Sequence, residues 1–196
     1  MRWLDLALGI AASVVSLVSL WLGLHSAHSM EKLVAANSYP YVELQRSSSM
    51  EHFAEKTGPW RRVKYMMENN GAGPARIEWV QFNYKGQAVA DIEELLQKCC
   101  STEPLNRNGV DTRGKIAGTV IRPGATVQMF SWDEPSETNP TFMALHKAMN
   151  DISYSACYCS VFDDCYVTGT SDEGKPQPVE QCTPPKVAFR PGFPRK

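Results

Sequence analysis

The chain has 196 residues, 43% of them hydrophobic and 21% charged, which suits one globular domain with appendages and excludes a disordered or low-complexity protein. Twenty Lys and Arg face 21 Asp and Glu, for a net charge of −1, and the cations are scattered. No basic face exists to neutralise a run of phosphates, so no nucleic acid is expected as a partner.

The first element is apolar. Residues 6–24, "LALGIAASVVSLVSLWLGL", carry no formal charge. That is close to the 20 or so apolar residues that cross a bilayer as a helix. Trp3 and Trp21 bracket the run, about 27 Å apart at 1.5 Å per residue, as interfacial tryptophans do. A cleaved signal peptide has a shorter apolar region, about 7–15 residues, ending in a small-x-small site. "LHSAHS" offers a poor −3 residue for cleavage after Ala27, so the segment reads as an uncleaved anchor in a lipid bilayer. Small residues recur at Gly9, Ala12, Ser16, Ser19 and Gly23, in steps of 3, 4, 3 and 4. Such a seam lets helix backbones approach closely, so self-association or pairing with a partner membrane helix is expected. "HSAHSMEKLVAANS" continues the helix until Pro40 disfavours it, which makes residues 1–37 the anchor and stalk.

Beyond Pro40 the pattern turns extended. "YVELQRS" (41–47), "RRVKYMME" (61–68) and "ARIEWVQFNY" (75–84) read as strands, and "NNGAGP" as the turn between the last two. Strict alternation in the third puts Ile77, Trp79, Gln81 and Asn83 on one face and Arg76, Glu78, Val80, Phe82 and Tyr84 on the other. "QAVA" returns after Lys85-Gly86. "DIEELLQKCC" is a short helix, with Asp91 as cap and Glu94 completing a capping box. "KIAGTVIRPGATVQMFSW" (115–132) reads as a hairpin turning at Pro123-Gly124. "NPTFMALHKAMN" is a second short helix, capped by Asn139 with Pro140 at its first position. "DISYSACYCSV" and "CYVTG" are a strong strand and its return. In the Pro-rich residues 170–196, "EQC" and "KVAF" are expected to add a short edge segment, and the rest reads as an extended, mobile tail partly packed on the domain. Seven or eight short strands with two helices make the expected fold mainly β. It is an antiparallel β-sandwich over 38–169, immunoglobulin-like or fibronectin-like, behind an N-terminal transmembrane helix, with a small closed barrel as the alternative.

The cysteines are Cys99, Cys100, Cys157, Cys159, Cys165 and Cys182. Six in about 160 residues suit an oxidising compartment. On a strand Cys157 and Cys159 share a face, opposite Tyr154, Ala156 and Tyr158. If residues 161–163 turn, Cys159 meets Cys165; a two-residue turn at Phe162-Asp163 puts Cys165 opposite Ser160 instead. Adjacent Cys99 and Cys100 are not expected to pair with each other, so one of them should reach the Cys157–Cys182 region. A metal reading would use Cys157, Cys159, Cys165 and Cys182 with zinc or copper(I). However, the repeated Cys-x-x-Cys of strong zinc sites is missing. A redox reading of Cys99 and Cys100 suffers from their place at a helix C-terminus, where the dipole opposes a thiolate. Structural disulfides are the leading expectation, with no resident cofactor or metal.

The anchor, the "LVAANSYPYVEL" junction, "NNGAGPARIEWVQFNYKG" and "CYCSVFDDCY" together resemble an uncharacterised family of small bacterial membrane-anchored proteins, over nearly the whole chain to about Cys182. The resemblance implies bacterial origin and this architecture, and it carries over no catalytic residue. With the positive-inside rule and the cysteines it places the N-terminus in the cytoplasm of a bacterial inner membrane and the domain in the periplasm. The alternative is a cytoplasmic domain.

No nucleophile elbow, His-Glu-x-x-His pair, P-loop or dinucleotide fingerprint occurs in the sequence. His146 has no identifiable nucleophile beside it. The expected function is therefore a non-enzymatic interaction or accessory domain, bound to an unknown envelope protein. The alternative is thiol-redox or metal handling at the Cys-x-Cys hairpin.

Overall fold

A computed structural model describes residues 2–51, 60–100, 105–170 and 175–193. His52 lies outside them. The chain forms two compact units, residues 1–38 and 39–196.

The first unit is one helix, α1 (Arg2–Asn37), of 36 residues. Within its Leu6–Asn37 stretch an 18-residue window reaches a mean hydropathy of 2.1, and the helix is long and apolar enough to cross a membrane. Ser13 and Ser16 donate their hydroxyls to the carbonyls of Gly9 and Ala12, so these polar side chains are satisfied within the helix itself.

The second unit is two antiparallel sheets. The first orders its strands β1 (Val42–Glu51), β2 (Trp60–Asn69), β7 (Thr126–Asp133) and β5 (Val110–Thr112). The second runs β10 (Gln177–Val179), β9 (Cys165–Gly169), β8 (Ile152–Cys159), β3 (Ala75–Tyr84) and β4 (Gln87–Val89), while β6 (Val120–Ile121) also pairs with β3. The helices α2 (Ile92–Cys100) and α3 (Pro140–Ala148) pack on each other. Both caps form as expected. Glu94 N–H donates to the Asp91 carboxylate at 2.9 Å, and Ala90 N–H donates to that of Glu94 at 2.6 Å. Phe142 N–H donates to the Asn139 side chain.

Alternation along the strands builds the core. Tyr65 from β2, Phe82 from β3, Phe130 from β7 and Tyr154 from β8 meet between the sheets, with ring centroids 4.7–5.7 Å apart for the Tyr65 contacts. Each such aromatic pair adds about 0.5–1.5 kcal/mol beyond area burial. Polar groups lock the facing sheets. Tyr154 donates its hydroxyl to Gln45 and Met66 carbonyls, and the Tyr158 hydroxyl accepts from Val42 N–H. Burial pushes the Tyr154 and Tyr158 phenols well above their ordinary range.

Asn69 is the polar centre of one end of the sandwich, and it is fully buried. Its amide donates to Gly73 and Ile121 carbonyls at 2.8 and 3.0 Å. Its carbonyl accepts from Tyr41 and Gly71 N–H groups at 3.1 and 3.0 Å. One side chain thus ties the start of β1, the β2–β3 turn and β6. The turn itself passes so close to residues 39–41 that a Cβ on Gly71 would collide with their backbone.

Two expectations fail for identifiable reasons. Residues 115–132 are not a hairpin, because β6 pairs with β3 and β7 pairs with β2 in the other sheet. Gly124, at φ +69°, turns the chain across from one sheet to the other. The third strand does not alternate strictly either. A bulge between Ile77 and Trp79 shifts the pairing with β8, so that Ile77, Val80 and Phe82 are all buried.

Acid should weaken this unit. Glu134 receives a bidentate contact from the Arg61 guanidinium, which holds its carboxyl below the usual carboxylate range against the opposing effect of burial. A lowered folded-state pKa gives stability that is present above the unfolded value, about 4.3, and lost as pH falls through the folded one. The expected result is a Tm that falls below pH 4 more steeply in wild type than in Glu134→Gln. Equal slopes would count against the pair.

Candidate functional site

The outer face of the second sheet carries the unusual chemistry. On β8, Tyr154, Ala156 and Tyr158 join the core, and Cys157 and Cys159 alternate onto the opposite face. Both cysteines are nevertheless buried, at 0% and 2% exposure. The cover is the C-terminal segment. β10 pairs with β9, Cys182 is bonded to Cys157 on β8, Phe189 N–H donates to the Val80 carbonyl on β3 at 2.7 Å, and Arg190 N–H donates to Ala90 beside β4 at 2.8 Å. The segment therefore crosses the sheet as a strap, strand by strand. It ends by inserting the Phe189 ring into the core, 4.2 Å from that of Phe82. Expected to be mostly extended and mobile, the tail packs on the domain further than its expected edge segment, through residues 175–193. Phe189, within the "KVAF" segment expected at a sheet edge, fills the length of β3 between its pairings with β6 and β4.

The sulfurs occupy one patch under the strap. Cys159 lies opposite Cys165 in the β8–β9 register and is bonded to it. This is the outcome attached to the longer turn, with Asp163 at φ +62° inside it. The Cys159 Sγ is also 3.7 Å from that of Cys182. The Sγ atoms of Cys159, Cys165 and Cys182 all lie within 4.8 Å of one another. Two disulfides thus sit in contact, close enough for a thiol formed at one to attack the other. As disulfides the sulfurs carry no thiolate, so the set can take a soft metal only after reduction.

Cys99 and Cys100 pair with each other at the end of α2, contrary to expectation. The two outer-face bridges consume the remaining four cysteines. α2 meanwhile packs on α3, β3 and β4, which leaves its last two residues only each other.

The bulge at Glu78 has a consequence beside the sulfurs. It re-aims Trp79, which strict alternation counts with Ile77, onto the outer face, directly opposite Cys157. Trp79 there lines a cleft of about 410 Å³ with Ile116 from the β5–β6 loop and Pro184, Phe189 and Pro191 from the strap. The charged groups around it are Glu78, Lys115 and Arg190. Glu78 is engaged by Arg76 at 2.6 Å. Lys115 and Arg190 are exposed and have no carboxylate partner among the described residues. The Trp79 indole N–H is buried with no hydrogen-bond partner. Strict alternation puts Trp79 on the face of Ile77 and marks neither cation, because a bulge and a strap both depend on distant pairing.

No protein-family model and no curated protein matches the chain.

Proposed function

We propose that the chain is a single-pass membrane protein whose residues 39–196 form a non-enzymatic interaction or accessory domain outside the inner membrane of a bacterium. The carrying observation is that the chain holds, among the described residues, one helix long and apolar enough to span a membrane and a separate unit braced by three disulfides. Disulfides persist in the periplasm and are removed in the cytosol. The strand order supports an immunoglobulin-type module. With β1, β2, β7 and β5 as A, B, E and D, and β9, β8, β3 and β4 as G, F, C and C′, both sheets follow that order. Pairing of β5 with β7 rather than with β3 argues against the fibronectin arrangement. Such sandwiches serve widely as scaffolds for binding surfaces. A C-terminal alkaline phosphatase fusion should be active and a fluorescent-protein fusion dark. The reverse pattern places the domain in the cytoplasm and overturns this reading.

The seam at Gly9, Ala12, Ser16, Ser19 and Gly23 supports pairing of the anchor with a second copy or with the helix of an envelope partner. Replacing Gly9, Ser16 and Gly23 with Leu is expected to abolish crosslinking between helices in native membranes. Unchanged crosslinking refutes the seam.

A second reading, thiol-redox or metal handling by Cys157, Cys159, Cys165 and Cys182, is favoured by the 3.7 Å approach of Cys159 and Cys182 sulfurs. Stoichiometric zinc or copper in protein with free thiols would establish it, and metal-free oxidised protein would exclude the metal part.

A further inference from the structure

We infer that the strap cleft is a binding site for a small organic acid, a carboxylate on an apolar body. This goes beyond the anchoring function and stands without it. At about 410 Å³ the cleft falls within the range of small-molecule sites, about 300–1,000 Å³. Its apolar surface comes from Trp79, Ile116, Pro184 and Phe189, with Val80 below. These residues converge because two devices bring them there: the bulge that turns Trp79 outward and the Cys157–Cys182 tether that holds the strap over it. Bulges commonly re-aim a side chain beside a functional site.

The polar groups select the charge of the ligand. Lys115 from the β5–β6 loop and Arg190 from the strap both line the cleft. Neither has an acidic partner among the described residues, while Glu78, the acid of the lining, is committed to Arg76. The cleft therefore presents two cations to an incoming group. The indole N–H of Trp79, itself a lining residue, is buried without an acceptor, a state that folded proteins seldom leave uncompensated. A carboxylate offers acceptors to the two cations, and the proposed pose gives the Trp79 N–H one as well. An apolar body accounts for the remaining surface, which a compact inorganic anion would leave wet.

The probe is 4-(trifluoromethyl)benzoate, observed by ¹⁹F NMR with full-length protein in zwitterionic lipid nanodiscs. Its neutral counterpart, 4-(trifluoromethyl)benzyl alcohol, and empty nanodiscs serve as references. The expected result is line broadening of the acid by protein-bearing discs, well beyond that in empty discs and beyond that of the alcohol. Lys115→Ala with Arg190→Ala should weaken binding of the acid about tenfold, the sum of two partly exposed ion pairs. Both residues are exposed, so the double variant keeps the fold. Trp79→Phe, which retains a ring and drops the N–H, should weaken it several-fold. Equal broadening of acid and alcohol, broadening by empty discs alone, or an unchanged affinity in the double variant overturns the proposal.

Discussion

Replacing Asn69 with leucine is expected to destabilise the β domain by about 4 kcal/mol, among the largest effects of any single substitution in it. Asn69 is fully buried and uses both amide hydrogens and both carbonyl lone pairs. Leucine removes all of them and leaves Tyr41 N–H, Gly71 N–H, Gly73 C=O and Ile121 C=O without that partner. Each buried group so stranded costs about 1–3 kcal/mol, partly relieved by local rearrangement. For a domain of this size the Tm should fall by about 10 °C. The neighbouring Asn70 provides the control. Its side chain bonds Glu43 at an exposed position, so Asn70→Ala should stay within about 0.5 kcal/mol of wild type. Thermal unfolding of the two variants decides the matter. An Asn69→Leu variant within about 1 kcal/mol of wild type would remove Asn69 from the centre of the fold.

The Cys157–Cys182 tether should matter far more than the Cys99–Cys100 bond. The first spans 25 residues and the second spans one. In the chain-entropy account a loop of about 25 residues contributes about 3–4 kcal/mol, and a bond between neighbours closes almost no loop. Cys157→Ser with Cys182→Ser should therefore lower stability by about 3–4 kcal/mol, and Cys99→Ser with Cys100→Ser by less than about 1. Equal losses from the two pairs would contradict the strap. The single variant Cys157→Ser tests the sulfur patch directly. It leaves a Cys182 thiol 3.7 Å from the Cys159 sulfur. Attack by the Cys182 thiolate forms a Cys159–Cys182 bond and releases Cys165 as the thiolate. Peptide mapping should find both Cys159–Cys165 and Cys159–Cys182 in that variant.

Much of this architecture was written locally. The uncharged run from Leu6 to Leu24 fixed α1, and both helix caps could be read from Asp91, Glu94 and Asn139 because capping needs only residues three or four apart. The Cys159–Cys165 bridge followed from strand parity once the turn length was known. What stayed hidden depends on long-range pairing. Nothing within residues 115–132 says that its two strands join different sheets, since a Pro-Gly turn serves a hairpin and a crossing equally well. The bulge at Glu78 is visible only against its partner strand β8, and with it went the placement of Trp79. "KVAF" read as a short edge segment, but the burial of Phe189 follows only from the gap along β3 that it fills. The Cys99–Cys100 bond was obscured for a similar reason, since it is settled by where the other four cysteines go.

The proposed protein is a membrane-anchored domain that lives oxidised, with its C-terminal strap tethered to β8. The most direct measurement is a disulfide map of the full-length protein taken from its native membrane, with free thiols alkylated at the moment of lysis and the peptides read by mass spectrometry. Cys99–Cys100, Cys157–Cys182 and Cys159–Cys165, with no alkylated cysteine, is the result the account expects. Six alkylated thiols would contradict it, placing the domain in a reducing compartment and leaving the strap untethered.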